Sequence, residues 1–126
     1  MRALVPALVI LSFLTACSKK NDAATDIVPP VISALSPVNN QVFNPGQTVN
    51  IAGHISDGNK IATVHVHISD NTTGQLLIDI HRYPDAVNYD LAESFTVQAG
   101  VHYKIQVVAI DVSANEGYAT LFISAN

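Results

Sequence analysis

Three features of the chain from Val31 onward predict an all-β fold, an antiparallel sandwich of about seven short strands. Apolar residues recur at every second position, as a strand with one buried face requires. Clusters of Pro, Gly, Asn and Asp break that alternation every 8–15 residues or so. No window carries the 3.6-residue stripe of an amphipathic helix. Many short strands between turn signals, in about 95 residues, favour two packed layers around one core.

The elements follow in order. Val31–Leu35 is the first predicted strand, followed by a long turn through Ser36-Pro37-Val38-Asn39-Asn40. Asn44-Pro45-Gly46-Gln47 places Pro and Gly at the centre of a tight turn, where a type II geometry wants them. Thr48–Ser56 alternates Val49, Ile51, Gly53 and Ile55 on one face, and Asp57-Gly58-Asn59 predicts a reversal. Lys60–Ser69 then points Ala62, Val64, Val66 and Ile68 inward. Asp70-Asn71-Thr72-Thr73-Gly74 closes a hairpin onto Gln75–His81, whose Leu76, Ile78 and Ile80 face the core. Arg82–Asn88 contains Pro84 and reads as irregular, before a strand at Tyr89–Val97 carrying Leu91, Phe95 and Val97. Val101–Asp111 alternates Val101, Tyr103, Ile105, Val107 and Ala109. A turn at Ser113–Gly117 leads to the closing strand, Tyr118–Ser124.

The stretch ahead of this domain has a different character. After Met1-Arg2, the run Ala3–Leu14 is apolar over about 12 residues. A helix needs about 20 residues to span a hydrocarbon core of about 30 Å, whereas about 12 suits the apolar region of a signal peptide. Leu14-Thr15-Ala16-Cys17 closes the run with small residues before a cysteine. All four positions resemble the lipobox of bacterial lipoproteins. The resemblance implies cleavage before Cys17, a diacylglyceryl thioether on its sulfur and usually an acylated amine. Acyl burial is worth about 0.8 kcal/mol per methylene, so two or three chains make an effectively permanent membrane anchor. The lipoprotein sorting rule commonly uses Asp after the cysteine for inner-membrane retention. Ser18 at that position therefore implies the outer membrane of the bacterial envelope, on the periplasmic or the surface side. Ser18–Asp26 is small, polar and aperiodic, a flexible tether that Pro29-Pro30 ends. The expected organisation is thus a signal peptide at 1–16, lipidated Cys17 and linker through 30, and one domain over 31–126.

Within the domain, Gly100-Val101-His102-Tyr103-Lys104-Ile105-Gln106-Val107-Val108-Ala109-Ile110-Asp111 resembles strand F of immunoglobulin and fibronectin type III domains. In those folds a tyrosine near the strand start hydrogen-bonds back to the preceding loop, and the resemblance gives Tyr103 that role. The cysteine pair and core Trp of antibody-type domains are missing. With Ser36-Pro37 opening and Asp111-Val112-Ser113-Ala114-Asn115 closing, the domain resembles the Ig-like modules of bacterial surface lipoproteins. It is more loosely similar to a lipoprotein family of Bacteroidota whose members carry one such domain.

Composition narrows the function further. From Val31 on, three basic residues face eight acidic ones, so a nucleic-acid partner is not expected. Cys17 is the only cysteine and the chain has no Trp, so no disulfide supports the domain and its apolar core must hold it. There is no Gly-x-Ser-x-Gly elbow, and the one thiol is committed to lipid, so nucleophilic catalysis finds no support.

The histidines are the other chemical feature. His65 and His67 lie two apart on the outward face of the third predicted strand. A five-residue hairpin loop would put Asp79 opposite His65 and Leu77 opposite His67. His102 opens the neighbouring strand and is expected near His67, while His81 points outward beyond Asp79. This set reads as a surface Zn²⁺ or Cu²⁺ site from His65, His67 and His102, with Asp79 as ligand or supporting partner. The reading favoured over it is an exposed polar stripe in which His65–Asp79 is a weak ion pair, because Lys104 on the same face counts against a cation and the spacing matches no recognised zinc arrangement. Asp111, Ser113 and Asn115 have the one-three-five spacing of a calcium loop, but the twelfth position is Phe122, and a turn explains the same residues. The expected function is an outer-membrane-anchored lipoprotein presenting a non-catalytic Ig-like module to a protein or glycan. The alternative is a Zn²⁺- or Cu²⁺-binding lipoprotein using the outward histidines, and no other cofactor is expected.

Overall fold

The computed structural model describes residues 23–126, so the lipobox and Cys17 lie outside the described residues. Seven strands follow: β1 (Val31–Ser36), β2 (Gln41–Phe43), β3 (Thr48–Asp70), β4 (Leu76–Arg82), β5 (Ala86–Thr96), β6 (His102–Asp111) and β7 (Glu116–Ala125). They form one hydrogen-bonded sheet in the order β1-β3-β6-β7-β2, with β4 and β5 also paired to β3. That sheet curls over itself into two facing layers. The hinge is β3, a single strand of 23 residues. Its first part, Thr48–Ser56, pairs with β1 and β5. Its second part, from Ile61 on, pairs with β4 and β6.

This corrects the reversal expected at Asp57-Gly58-Asn59. None of the three adopts a positive φ, so the chain bends between layers without turning back. Asp57 still accepts a hydrogen bond from the Asn59 amide at 2.7 Å, the local bond that such residues make in turns. One residue later the inward set changes. Ile61 pairs with Asp111 and Thr63 with Ile110, which leaves Ala62 as an extra residue, a β-bulge. Ile61 is therefore buried in the core, where the alternation had placed Ala62.

The strand β2 was not foreseen in the run between two turns. It is three residues long and pairs in parallel with β7, whereas every other pairing is antiparallel among the described residues. A segment that short carries no readable alternation. Its two backbone neighbours, Asn40 donating to the Phe122 carbonyl and Asn126 donating to that of Phe43, fasten it to the edge.

The core is apolar and continuous across both layers. Val49, Ile51, Ile55, Leu91 and Phe95 meet Val64, Val66, Ile68, Tyr103, Ile105 and Val107. Phe95 on β5 and Tyr103 on β6 join the layers edge to face, ring centroids 5.2 Å apart. Gly53 leaves room for Leu35, whose Cδ1 closes the rim of this core.

The approach to β1 lies against the domain. Pro30 is buried. Asn59 donates its side-chain amide to the Asp26 carboxylate, and Asn115 donates its own to the Asp26 carbonyl at 3.1 Å. The linker is thus held against the domain from Asp26 onward, by side chains 33 and 89 residues away.

Candidate functional site

The face of the second layer that points away from the core gathers His65, His67, Asp79, His81, Lys104, Tyr118 and Phe122. Pairing across β4, β3, β6 and β7 sets its rungs. His81, His65, Val108 and Tyr118 form one rung, and Asp79, His67, Gln106 and Thr120 the next. Ser69, Lys104 and Phe122 follow.

The hairpin register differs from the expected one by two residues. Asp70 donates to the Gln75 carbonyl, and the register shifts by one residue between Ile68 and Ser69. From Ile68 back, His67 opposes Asp79 and His65 opposes His81. Asp79 is therefore not directly across from His65. The loop is organised by Asp70, whose carboxylate accepts the Thr72 amide at 2.7 Å and the Thr73 amide at 3.3 Å. These bonds hold the Asp70 carboxyl below the usual aspartate range.

The result is a cluster of three imidazoles about one carboxylate. His81 Nε2 lies 3.0 Å and His67 Nε2 3.3 Å from Asp79 Oδ1. The His65 ring packs on the His81 ring at 4.2 Å and meets His67 edge-on at 5.7 Å. Donor atoms of His65, Asp79 and His81 all fall within 4.8 Å of one another. The His81 contact above all, with the charges of His81 and His67, lowers the Asp79 pKa against an opposing effect of burial. Burial lowers that of His65, helped by the neighbouring His81 and His67 and opposed by Asp79.

His102 stands apart from this cluster. It pairs with Ser124, and its carbonyl accepts the Asn71 amide beyond the hairpin end, while the β6 residue facing His67 is Gln106. The expected His67–His102 neighbourhood is therefore not formed. The register misplaced His102 because β6 starts four residues past the His67 rung. His81, read only as an outward residue, takes the place instead. Lys104 opposes Ser69, one rung beyond His67 on the same face. His54 lies on the outer face of the first layer, bonded to Asp90 at 2.7 Å.

Tyr103 is almost wholly buried, and its hydroxyl accepts the backbone amide of Gln98 at 2.8 Å. Asp111 is the buried charged residue among the described residues. It ties the β6–β7 turn by accepting the Ser113 and Asn115 amides at 2.7 and 2.9 Å and the Asn115 side chain at 2.8 Å. Carboxylate oxygens of Asp26 and Asp57 lie within 4.8 Å of it. Burial alone would raise the Asp111 pKa, but the bonds from Asn115 and Ser113 outweigh it and hold the carboxyl below its ordinary value. A depressed folded-state pKa stabilises above the unfolded value and loses that contribution as pH falls through the folded one. The denaturant midpoint should accordingly drop as pH falls below the ordinary aspartate pKa of about 3.9. Asp111→Asn should show a lower midpoint at neutral pH and a shallower drop over the same range; parallel profiles would refute this.

Residues 30–81, less than half of the chain, match the model of a family described as a bacterial Ig domain. Three solved structures share the fold at low identity. A superoxide reductase (neelaredoxin) from Ignicoccus hospitalis has a TM-score of 0.54 and 8% identity, covering 78% of this chain and 80% of its own. OgpA from Akkermansia muciniphila has a TM-score of 0.53 and 10% identity over 75% of this chain, which spans 28% of OgpA. The PKD domain of an M14-like peptidase from a Thermoplasmatales archaeon has a TM-score of 0.51 and 20% identity, covering 77% and 92%. No curated protein matches the chain. The family match and the PKD likeness support a single Ig-like domain.

Proposed function

We propose that the chain is an outer-membrane lipoprotein, anchored through lipid on Cys17, whose Ig-like domain is a non-catalytic contact module for a protein or glycan. The observation that carries the contact role is the open outer face of β7 and β2. Tyr118, Phe122 and Val42 stand exposed there on one sheet face, beside an open cleft lined by Asn40, His102, Phe122 and Ser124. Aromatic side chains on an accessible rigid surface are the residues that dominate contact energetics. The anchor role rests on the lipobox Leu14-Thr15-Ala16-Cys17.

Both parts are tested in a Gram-negative host fed an alkyne-tagged fatty acid. The full chain should take up the label and sediment with outer membranes, and Cys17→Ser should do neither. Label retained by Cys17→Ser, or absent from the unaltered chain, would sink the anchor. In the same cells, crosslinked adducts should fall for Tyr118→Ser/Phe122→Ser at unchanged domain melting. Adducts unaffected by that pair would move the contact surface elsewhere.

A further inference from the structure

We propose that the β3–β4 hairpin holds a divalent transition-metal site in which His65, Asp79 and His81 are the ligands, with Zn²⁺ and Cu²⁺ as the ions it takes. This goes beyond the contact role and does not depend on it.

The geometry carries the inference. Zinc binds imidazole nitrogen at about 2.0–2.1 Å and carboxylate oxygen at about 2.0–2.2 Å. Two ligand atoms on one ion therefore lie about 3.3 Å apart in a tetrahedron and about 4.2 Å apart across a plane. The donor atoms of His65, Asp79 and His81 are all within 4.8 Å, and His81 Nε2 is already 3.0 Å from Asp79 Oδ1. Small rotations about side-chain bonds close the rest. The backbone needs no change, because His65 and His81 face each other across a ladder and Asp79 shares their face two residues from His81. Ligands on paired strands are held more rigidly than ligands on loops.

The donor set selects the ion. Two imidazole nitrogens and one carboxylate oxygen suit Zn²⁺ or Cu²⁺, whereas Ca²⁺ and Mg²⁺ want oxygen alone. Three protein ligands leave positions open for water or a further ligand. His67, 3.3 Å from the same Asp79 oxygen, positions the carboxylate. An ion-pair network accounts for His67 and His81 but leaves His65 stacked on His81, within 4.8 Å of the Asp79 carboxylate yet in no ion pair of its own among the described residues. The nearby cations do not occupy the place. Arg82 is turned to Glu93 at 2.7 Å, and Lys104 stands on the Ser69 rung.

The test is calorimetric titration of Zn²⁺ into the full chain in detergent, with Cys17→Ser in every sample so that no thiol competes. Histidine ring resonances are followed by NMR in parallel. One equivalent should bind and shift His65 and His81. His81→Gln, Asp79→Asn and, on the other strand, His65→Gln should each weaken Kd by at least about tenfold, since even outer-shell partners cost 10–100-fold. His102→Gln and His54→Gln should bind as the parent does. Metal-free melting of each variant is recorded first, and with three ligand variants on two strands one misfolded protein does not decide the result. Absence of binding, binding that survives in the folded ligand variants, or equal shifts at all five histidines would overturn the site.

Discussion

Phe95→Ala is expected to cost about 3–5 kcal/mol, the usual penalty for truncating a buried aromatic. In a domain of this size that lowers the melting temperature by more than about 10 °C. The size of the effect comes from where Phe95 sits. It belongs to β5 in the first layer, yet its ring packs on Tyr103 of β6 in the second. The cavity would open between the layers, where neither can collapse without shifting the other, and the Tyr103 hydroxyl would lose the wall that aims it at Gln98. Tyr83→Ala is the control, because that ring is 72% exposed and should change stability by no more than about 0.5 kcal/mol. Equal melting curves for the two variants would mean that the layers do not share a core.

Gly117→Ala carries the second large effect. An added Cβ would fall on the Pro30 carbonyl oxygen, which is backbone and cannot swing aside. Overfilling a packed site costs about 1–3 kcal/mol, and a clash with main chain belongs at the upper end of that range. The linker should also loosen, which limited proteolysis near Asp26 would reveal. Gly58→Ala meets nothing within 4 Å at an ordinary φ. It should therefore be neutral or stabilise by about 0.4–1 kcal/mol through the unfolded chain. Similar losses from both substitutions would mean that close approach at Gly117 is not what requires glycine.

The legible parts of the fold were those with local causes. Alternation at Thr48–Ser56, Val101–Asp111 and Tyr118–Ser124 located the interior of β3, β6 and β7, because a strand buried on one face must repeat every second residue. The Asp111-Val112-Ser113-Ala114-Asn115 turn was equally visible, its aspartate being the acceptor for the amides two and four residues on. Asp57-Gly58-Asn59 misled for the same reason. Turn chemistry is a local preference, and β5 and β6 already occupied the partners that a reversed chain would have needed.

The candidate site was half legible. Outward histidines on one strand followed from the side-chain period, so His65, His67 and Asp79 were placed on the right face. Their partners depended on register. A loop one residue tighter than expected and one bulged residue together moved the β3–β4 pairs by two positions and brought His81 opposite His65. His102 lies four residues from the β6 residue that faces His67. The sequence by itself determined the buried faces of Thr48–Ser56, Val101–Asp111 and Tyr118–Ser124 and the turns organised by Asp70 and Asp111, all of which arise from neighbours within a few residues. Only the tertiary structure decided that β3 serves both layers, that Ile61 displaces Ala62 in the core, that Pro30 lies over Gly117, and which imidazoles share Asp79. Each of these is a contact between distant segments, settled by one-residue bulges and ladder competition that no local pattern encodes.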